Sequence, residues 1–333
     1  MADLGILRHV ALVLLGVSGV PYCQAQPPSG QDASPCGSVL APERAYSLRL
    51  TSFVPGPNQV SGVLLEARIN GGQPLHLLLD SGAAHLILDA RASARSGISA
   101  VSESHLVGVG ESPASSARSG VAGAVDVGPF QFRDCRVDMS PRKLAGGIDG
   151  VIPLRLFGGF LIRLDLPGKA LDLMPYADHA AAQTAGSARM ILNGDVLFVR
   201  GALDDALEGE ILLDTGASYS AISRRTAQVL RMPLVSEVGL RGANGAVHGD
   251  LIGAGIRFHV AGRSLTAERV VALDLADFSA FNGVETVGVL GYPALCNSIL
   301  TVDYRDGLVR IDAPPNRERT PTLMADKRKT GAP

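Results

Sequence analysis

Apolar positions in this chain come in short runs broken by turn residues, and the runs alternate with polar positions in a strand-like period of two. The stretch "GVLLEARINGGQPLHLLLD" alternates, turns at Asn70-Gly71-Gly72 and closes on three leucines, a hairpin pattern. "VLFVRGALDDALEGEILLD" repeats it with what reads as a longer turn. Farther on, "IDGVIPLRLFGGFLIRLDLPGKALDLM" and "TVGVLGYPALCNSILTVDYRDGLVRI" share one order of events: an apolar pair after Gly150 or Gly288, a short helical stretch, a strand containing Asp165 or Asp303, a turn and a last strand. The pattern predicts many short strands joined by tight turns, in two similar halves.

Matched landmarks show that the similarity is a duplication. "HLLLDSGAAHLILD" and "EILLDTGASYSAIS" place Asp80 and Asp214 at the same point, 134 positions apart, while Gly150 and Gly288 are 138 apart. Each Asp follows an apolar triplet at the end of what reads as a buried strand. A buried carboxylate without a partner is costly, so such a residue is either a turn former reaching solvent or a group kept for chemistry. Between each Asp motif and the later glycine motif lies a glycine-rich hairpin, with expected tips at roughly Gly108 to Gly120 and Gly242 to Gly249. These hairpins read as lids over a cleft.

Composition narrows the classes. At 333 residues the chain has room for two ordinary domains, and 46% hydrophobic against 19% charged residues allows a sizeable core. A formal net charge of -2, with no basic face, argues against a nucleic-acid partner. Residues 1–25 carry Arg8 and His9, an apolar run from Val10 to Val20 and small residues near Ala25, which reads as a cleaved export signal. That run is short for a membrane span, so no membrane span is expected, and the mature protein is expected to be secreted or periplasmic. Residues 26–45 form a Pro/Ser/Gly-rich leader read as a linker, residues 46–185 and 186–314 the two lobes, and residues 315–333 a polar tail. Of the cysteines left after signal removal, Cys36 and Cys135 are the natural pair because both lie in the first half, and Cys296 reads as a small buried apolar residue. The sequence leaves that pairing open.

The doubled Asp-Ser/Thr-Gly-Ala motif, each copy after an apolar triplet and followed later by Gly-apolar-apolar, resembles the aspartic peptidases. Duplication within one chain resembles the two-lobed pepsin-like arrangement, whereas "LLLDSGA" and "ILLDTGA" are closer to retropepsins and their bacterial relatives. The resemblance covers nearly all of residues 46 to 313. It implies an acid-protease fold, mostly β, with two homologous closed β-barrel-like lobes and a cleft between them. It also implies an aspartic endopeptidase acting on extended peptides, with Asp80 and Asp214 as the catalytic pair and Ser81, Gly82, Thr215 and Gly216 supporting them. The hydroxyls of Ser81 and Thr215 are carried over as cross-lobe ties. No cofactor or metal is implied, and the chain, holding both halves, is expected to work as a monomer.

The chemistry stands without the family. Cleaving an amide with water needs a base to take a proton and an acid to give one, and two carboxyls roughly 3 Å apart do both by sharing one proton. Gly82 and Gly216 leave room for close backbone approach. Three departures from the pepsin-like pattern bear on this. Ala83 and Ala217 stand where a hydroxyl often donates to the carboxylate, so the pair's apparent pKa values are expected to be raised. Pro153 faces the first motif where Gly291 faces the second, which is expected to disturb packing under Asp80. Neither hairpin tip carries a Tyr. Those departures keep a second reading open, a protease-like peptide-binding protein without turnover. His76 and His85 lack metal-ligand spacing, "GVGES" lacks the Lys of a phosphate loop, and Asp165 and Asp303 read as structural.

Overall fold

The computed structural model describes residues 10–11, 35–41, 43–53, 61–108, 114–144, 147–176, 186–193, 196–242 and 245–315. The expected export signal apart from Val10–Ala11, residues 26–34 of the leader, residues 316–333 of the tail and the hairpin tips at 109–113 and 243–244 lie outside the described residues. The chain is mostly β and two-lobed. Among the described residues its strands fall into a sixteen-stranded and a nine-stranded sheet.

Each Asp-bearing strand is the middle of a buried ladder. Leu75–Asp80 runs antiparallel to Gly62–Ile69 and parallel to Gly150–Pro153. Leu207–Asp214 likewise runs antiparallel to Val196–Leu203 and parallel to Thr286–Gly291. A strand paired on both edges and covered on both faces has no solvent side, so it reads as an unbroken apolar run rather than an alternation. That is why Leu77, Leu78 and Leu79, and Ile211, Leu212 and Leu213, sit consecutively and are all buried. Each such side chain contributes roughly 1.5–3 kcal/mol on leaving water.

The turns follow from residue type. Asn70 and Gly71 take left-handed backbone (φ 50° and 69°), as do Asp204 and Asp205 (φ 48° and 56°), conformations that Asn, Asp and Gly tolerate best. The second turn is shorter than the first, against expectation. Only Asp204 to Ala206 separate its strands, because Glu208 and Gly209 continue the ladder opposite Ala202 and Gly201. After each Asp loop a short helix, Ala90–Arg95 or Arg224–Val229, is capped at equivalent positions by Asp89, which accepts from Ala92 N–H, and Ser223, which accepts from Thr226 N–H.

The two glycine-rich hairpins consist of Ser102–Val107 with Ala114–Val127, and Leu234–Gly242 with Gly245–Ile252. The paired strands reach farther towards the expected tips than the glycine pattern implied. Gly120 and Gly249 lie inside strands, where a Cβ would stand 2.4 Å from Ser99 O and 2.5 Å from Val271 Cγ1. These glycines serve close packing, not turning.

The lobes meet through a six-stranded antiparallel ladder in the order Ala188–Asn193, Leu308–Asp312, Ile299–Asp303, Leu161–Asp165, Ala170–Met174, Tyr46–Arg49. Its central pair matches Ile162 with Val302 and Leu164 with Leu300, the register of an internal two-fold axis. The second lobe's sheet therefore runs on into the first lobe. One hydrophobic core extends through both lobes along this ladder, including Leu164, Leu173, Leu300 and Val309. Part of the leader also joins the first lobe. Ser38–Leu40 pairs with the strand Phe130–Ser140, and Cys36 is disulfide-bonded to Cys135. An aperiodic sequence gave no hint of this strand, which is exposed at Ser38, Val39 and Leu40 and follows the buried Cys36. Cys296 is free and half-buried.

Candidate active site

Asp80 and Asp214 end their strands at the junction of the lobes, and both are fully buried. The loops after them are tied to each other by a reciprocal set of hydrogen bonds. Ser81 N–H donates to Thr215 Oγ1 (3.1 Å) and Thr215 N–H to Ser81 Oγ (3.0 Å); each hydroxyl then donates across the interface, Ser81 to Leu213 O (2.7 Å) and Thr215 to Leu79 O (2.9 Å). Every donor and acceptor in the set is buried and paired, so the set holds the loops in one relative position.

That position brings the carboxyls together. A Cβ on Gly216 would lie 2.3 Å from Asp80 Oδ2, and one on Gly82 2.8 Å from Asp214 Cγ, so only glycine fits at either place. Each carboxyl leans on its own loop: Gly82 N–H donates to Asp80 Oδ1 (2.6 Å), while Gly216 and Ala217 N–H donate to Asp214 Oδ1 (2.9 and 2.8 Å). Oδ2 of both residues has no hydrogen-bond partner of this kind, an arrangement that a purely structural carboxylate avoids.

The electrostatics follow from burial and proximity. Desolvation pushes the Asp80 carboxyl from the ordinary 3.8 up to about 7, against the pull of N–H groups from Gly82, Ala83 and Gly216 and a hydrogen bond with Asp214. Desolvation, and then the charge of Asp80 beside it, hold Asp214 well above its ordinary value. Two carboxyls so placed cannot both ionise near neutrality and titrate as a unit.

Matching apolar clusters join the glycine-rich hairpins to the Asp loops. In the first lobe Leu106 of the hairpin packs with Leu78, Ala83, Ile87 and Val151; in the second, Leu240 packs with Leu212, Ala217, Ala221 and Val289. A sequence model of the family described as aspartyl protease matches residues 65–154 and 199–294, one match in each lobe and together more than half of the chain. The chain belongs to the aspartyl protease family. Its fold agrees with a crystal structure of the aspartic proteinase from Irpex lacteus, at 12% identity and a TM-score of 0.52, over 83% of this chain and 99% of that one. No curated protein matches in sequence.

In this aspartyl protease Pro153 does not disturb the first lobe. It pairs in register with Asp80 as Gly291 does with Asp214, and both strands stay buried. The sequence reading missed what replaces it in the second lobe. Gly291 N–H donates to Ser220 Oγ (3.1 Å) and Tyr292 N–H to Ala217 O (2.9 Å). Aligning the repeats would have exposed the exchange, since Leu86 and Pro153 stand where Ser220 and Gly291 do. Asp165 and Asp303 accept from Gly168 and Asp306 N–H and so brace turns away from the carboxyl pair. Among the described residues no helix is long and apolar enough to cross a membrane.

Proposed function

We propose that the protein is an aspartic endopeptidase in which Asp80 and Asp214 share one proton. The observation that carries this reading is the buried, coupled carboxyl pair, one member from each repeat, held by the reciprocal Ser81 and Thr215 ties. The ionised member takes a proton from water as the oxygen attacks the scissile carbonyl carbon. The protonated member gives its proton to the carbonyl oxygen, and the tetrahedral adduct collapses with proton transfer to the departing nitrogen. The hairpins over the loops are read as flaps, and an extended peptide pairs beneath them in strand fashion. With both carboxyls raised by burial, the singly protonated pair persists to near-neutral pH. Export to an oxidising compartment is part of the proposal and is supported by the Cys36–Cys135 disulfide and the N-terminal sequence. So is action as a monomer, since one chain contributes both carboxyls.

The test is digestion of a mixed peptide library by residues 26–333 from about pH 3 to 8, the span over which such a pair titrates. Asp80→Asn and Asp214→Asn variants run alongside. Cleavage that persists near pH 6–7 and vanishes in both variants supports the enzyme. Peptide affinity without cleavage at any pH, by folded protein, replaces it with a peptide-binding protein.

A further inference from the structure

The second-lobe loop rests on the strand end beneath it through contacts that the first lobe does not use. Gly291 stands opposite Asp214, and a Cβ there would meet Tyr219 O at 2.4 Å and Ala217 O at 2.9 Å, so loop 217–219 lies directly on it. Two successive backbone donors of that strand end then hold the loop: Gly291 N–H on Ser220 Oγ and Tyr292 N–H on Ala217 O. Ala217 is also the residue whose own N–H reaches Asp214 Oδ1 at 2.8 Å. The path from Ser220 to the carboxyl is therefore one short loop with a hydrogen bond at each end. In the first lobe Pro153 has no N–H to give and Leu86 no atom to accept it. Donor and acceptor are present together in one repeat and absent together in the other, so neither lobe buries an unpaired group at this point.

From this geometry we infer that Ser220 is a positioning residue for Asp214, acting by holding the Ala217 N–H against Oδ1 for the reaction proposed above. Tyr292 N–H alone leaves the loop free to pivot about one bond. Ser220 Oγ supplies the second point, and two points fix an orientation. Without it Gly291 N–H is buried with no acceptor, and the loop relaxes until that group finds one. The donor facing Asp214 Oδ1 moves with it. Since a hydrogen bond to the ionised form lowers a carboxyl's pKa, its loss raises the upper titration midpoint of the pair.

The experiment reads the carboxyls directly, so that it stands whether or not the protein turns over peptide. Wild type, Ser220→Ala and Ser220→Thr are labelled with 13C-aspartate, and the pair's midpoints are followed by NMR alongside thermal unfolding. Thr226→Val, which removes a buried hydroxyl bonded to Val287 O in the same lobe, controls for ordinary destabilisation. The expected result is an upper midpoint raised by about half a pH unit or more in Ser220→Ala, restored in Ser220→Thr and unmoved in Thr226→Val. In peptide assays kcat falls several-fold in Ser220→Ala with KM little changed. A Ser220→Ala midpoint equal to wild type, with only the melting temperature lowered as in Thr226→Val, overturns the inference. If Ser220→Ala does not fold, Ser220→Thr and Ser220→Cys decide by whether the midpoint follows the strength of the acceptor. An absence of wild-type cleavage bears on the proposed function alone.

Discussion

The two Asp loops are alike where they face each other and unlike where each faces its own lobe. Across the interface the parts correspond one to one: Ser81 with Thr215, Gly82 with Gly216, Leu79 O with Leu213 O. Beneath, the first loop sits over Pro153 and Leu86, in a lobe closed by Cys36–Cys135. The second sits over Gly291 and Ser220, beside Phe198, Phe278 and a Tyr219 ring with the Arg269 guanidinium 5.1 Å from its centroid. The contrast has a physical cause. A contact between lobes is reciprocal, so a change on one side leaves the partner unpaired and both must keep their form. A support inside one lobe can be rebuilt with its own neighbours, and the copies are free to diverge.

The sharpest way to break this comparison is to remove one carboxyl at a time. Asp80→Asn and Asp214→Asn are each expected to lower kcat/KM by about a thousandfold or more, because neither works without the other. A large loss from one and a small loss from the other would show that the loops are not equivalent after all. The same variants test the raised pKa values through stability. A carboxyl whose folded pKa lies above its unfolded value binds more protons when folded, so the pair's contribution to wild-type stability is most favourable below about pH 4 and is lost as pH rises towards about 7. Chemical denaturation across this range should show the decline in wild type and a flatter profile in either Asn variant.

Cys36→Ser sharpens the contrast in supports. The bridge spans a sequence separation of 99, and its loss is expected to lower stability by about 4 kcal/mol with activity kept at 25 °C. Limited proteolysis should then cut the first lobe before the second. Gly216→Ala and Gly82→Ala should each lower stability by about 1–3 kcal/mol and kcat far more, Gly216 being the more severe because its added atom would stand 2.3 Å from a carboxyl oxygen, whereas that of Gly82 would stand 2.8 Å from a carboxyl carbon. The smallest effect comes from the cross-lobe ties. Ser81→Ala and Thr215→Ala should cost about 1–3 kcal/mol each and by similar amounts, measured by denaturant unfolding, since each leaves the same number of buried groups unpaired. A clear inequality there would contradict the idea that reciprocal contacts keep the lobes alike.

Much of this was legible in the sequence because it repeats. The doubled motif located Asp80 and Asp214, their neighbours and the hairpins leading to them, and two carboxyls after buried-strand patterns narrowed the chemistry. Other features resisted for identifiable reasons. Gly120 and Gly249 read as turn formers, since sequence cannot distinguish a glycine that bends the chain from one that admits a neighbour. The leader strand Ser38–Leu40 has no alternation because its outer side is solvent and its anchor is covalent. The short second turn depended on ladder pairing of Glu208 and Gly209, which polarity does not reveal.

By itself the sequence determined the duplication, the β character and the identity of the two paired carboxyls, since these follow from local periodicity and matched spacing. Only the tertiary structure decided how the halves are joined, by the continuous six-stranded ladder and the acceptors Leu79 O and Leu213 O, and what holds the loop after Asp214 within its own lobe, Ser220 Oγ on Gly291 N–H. Those depend on backbone groups, which every residue carries alike. A sequence shows which side chains are available, whereas the partner of a buried N–H or C=O is settled only when distant strands are brought into register.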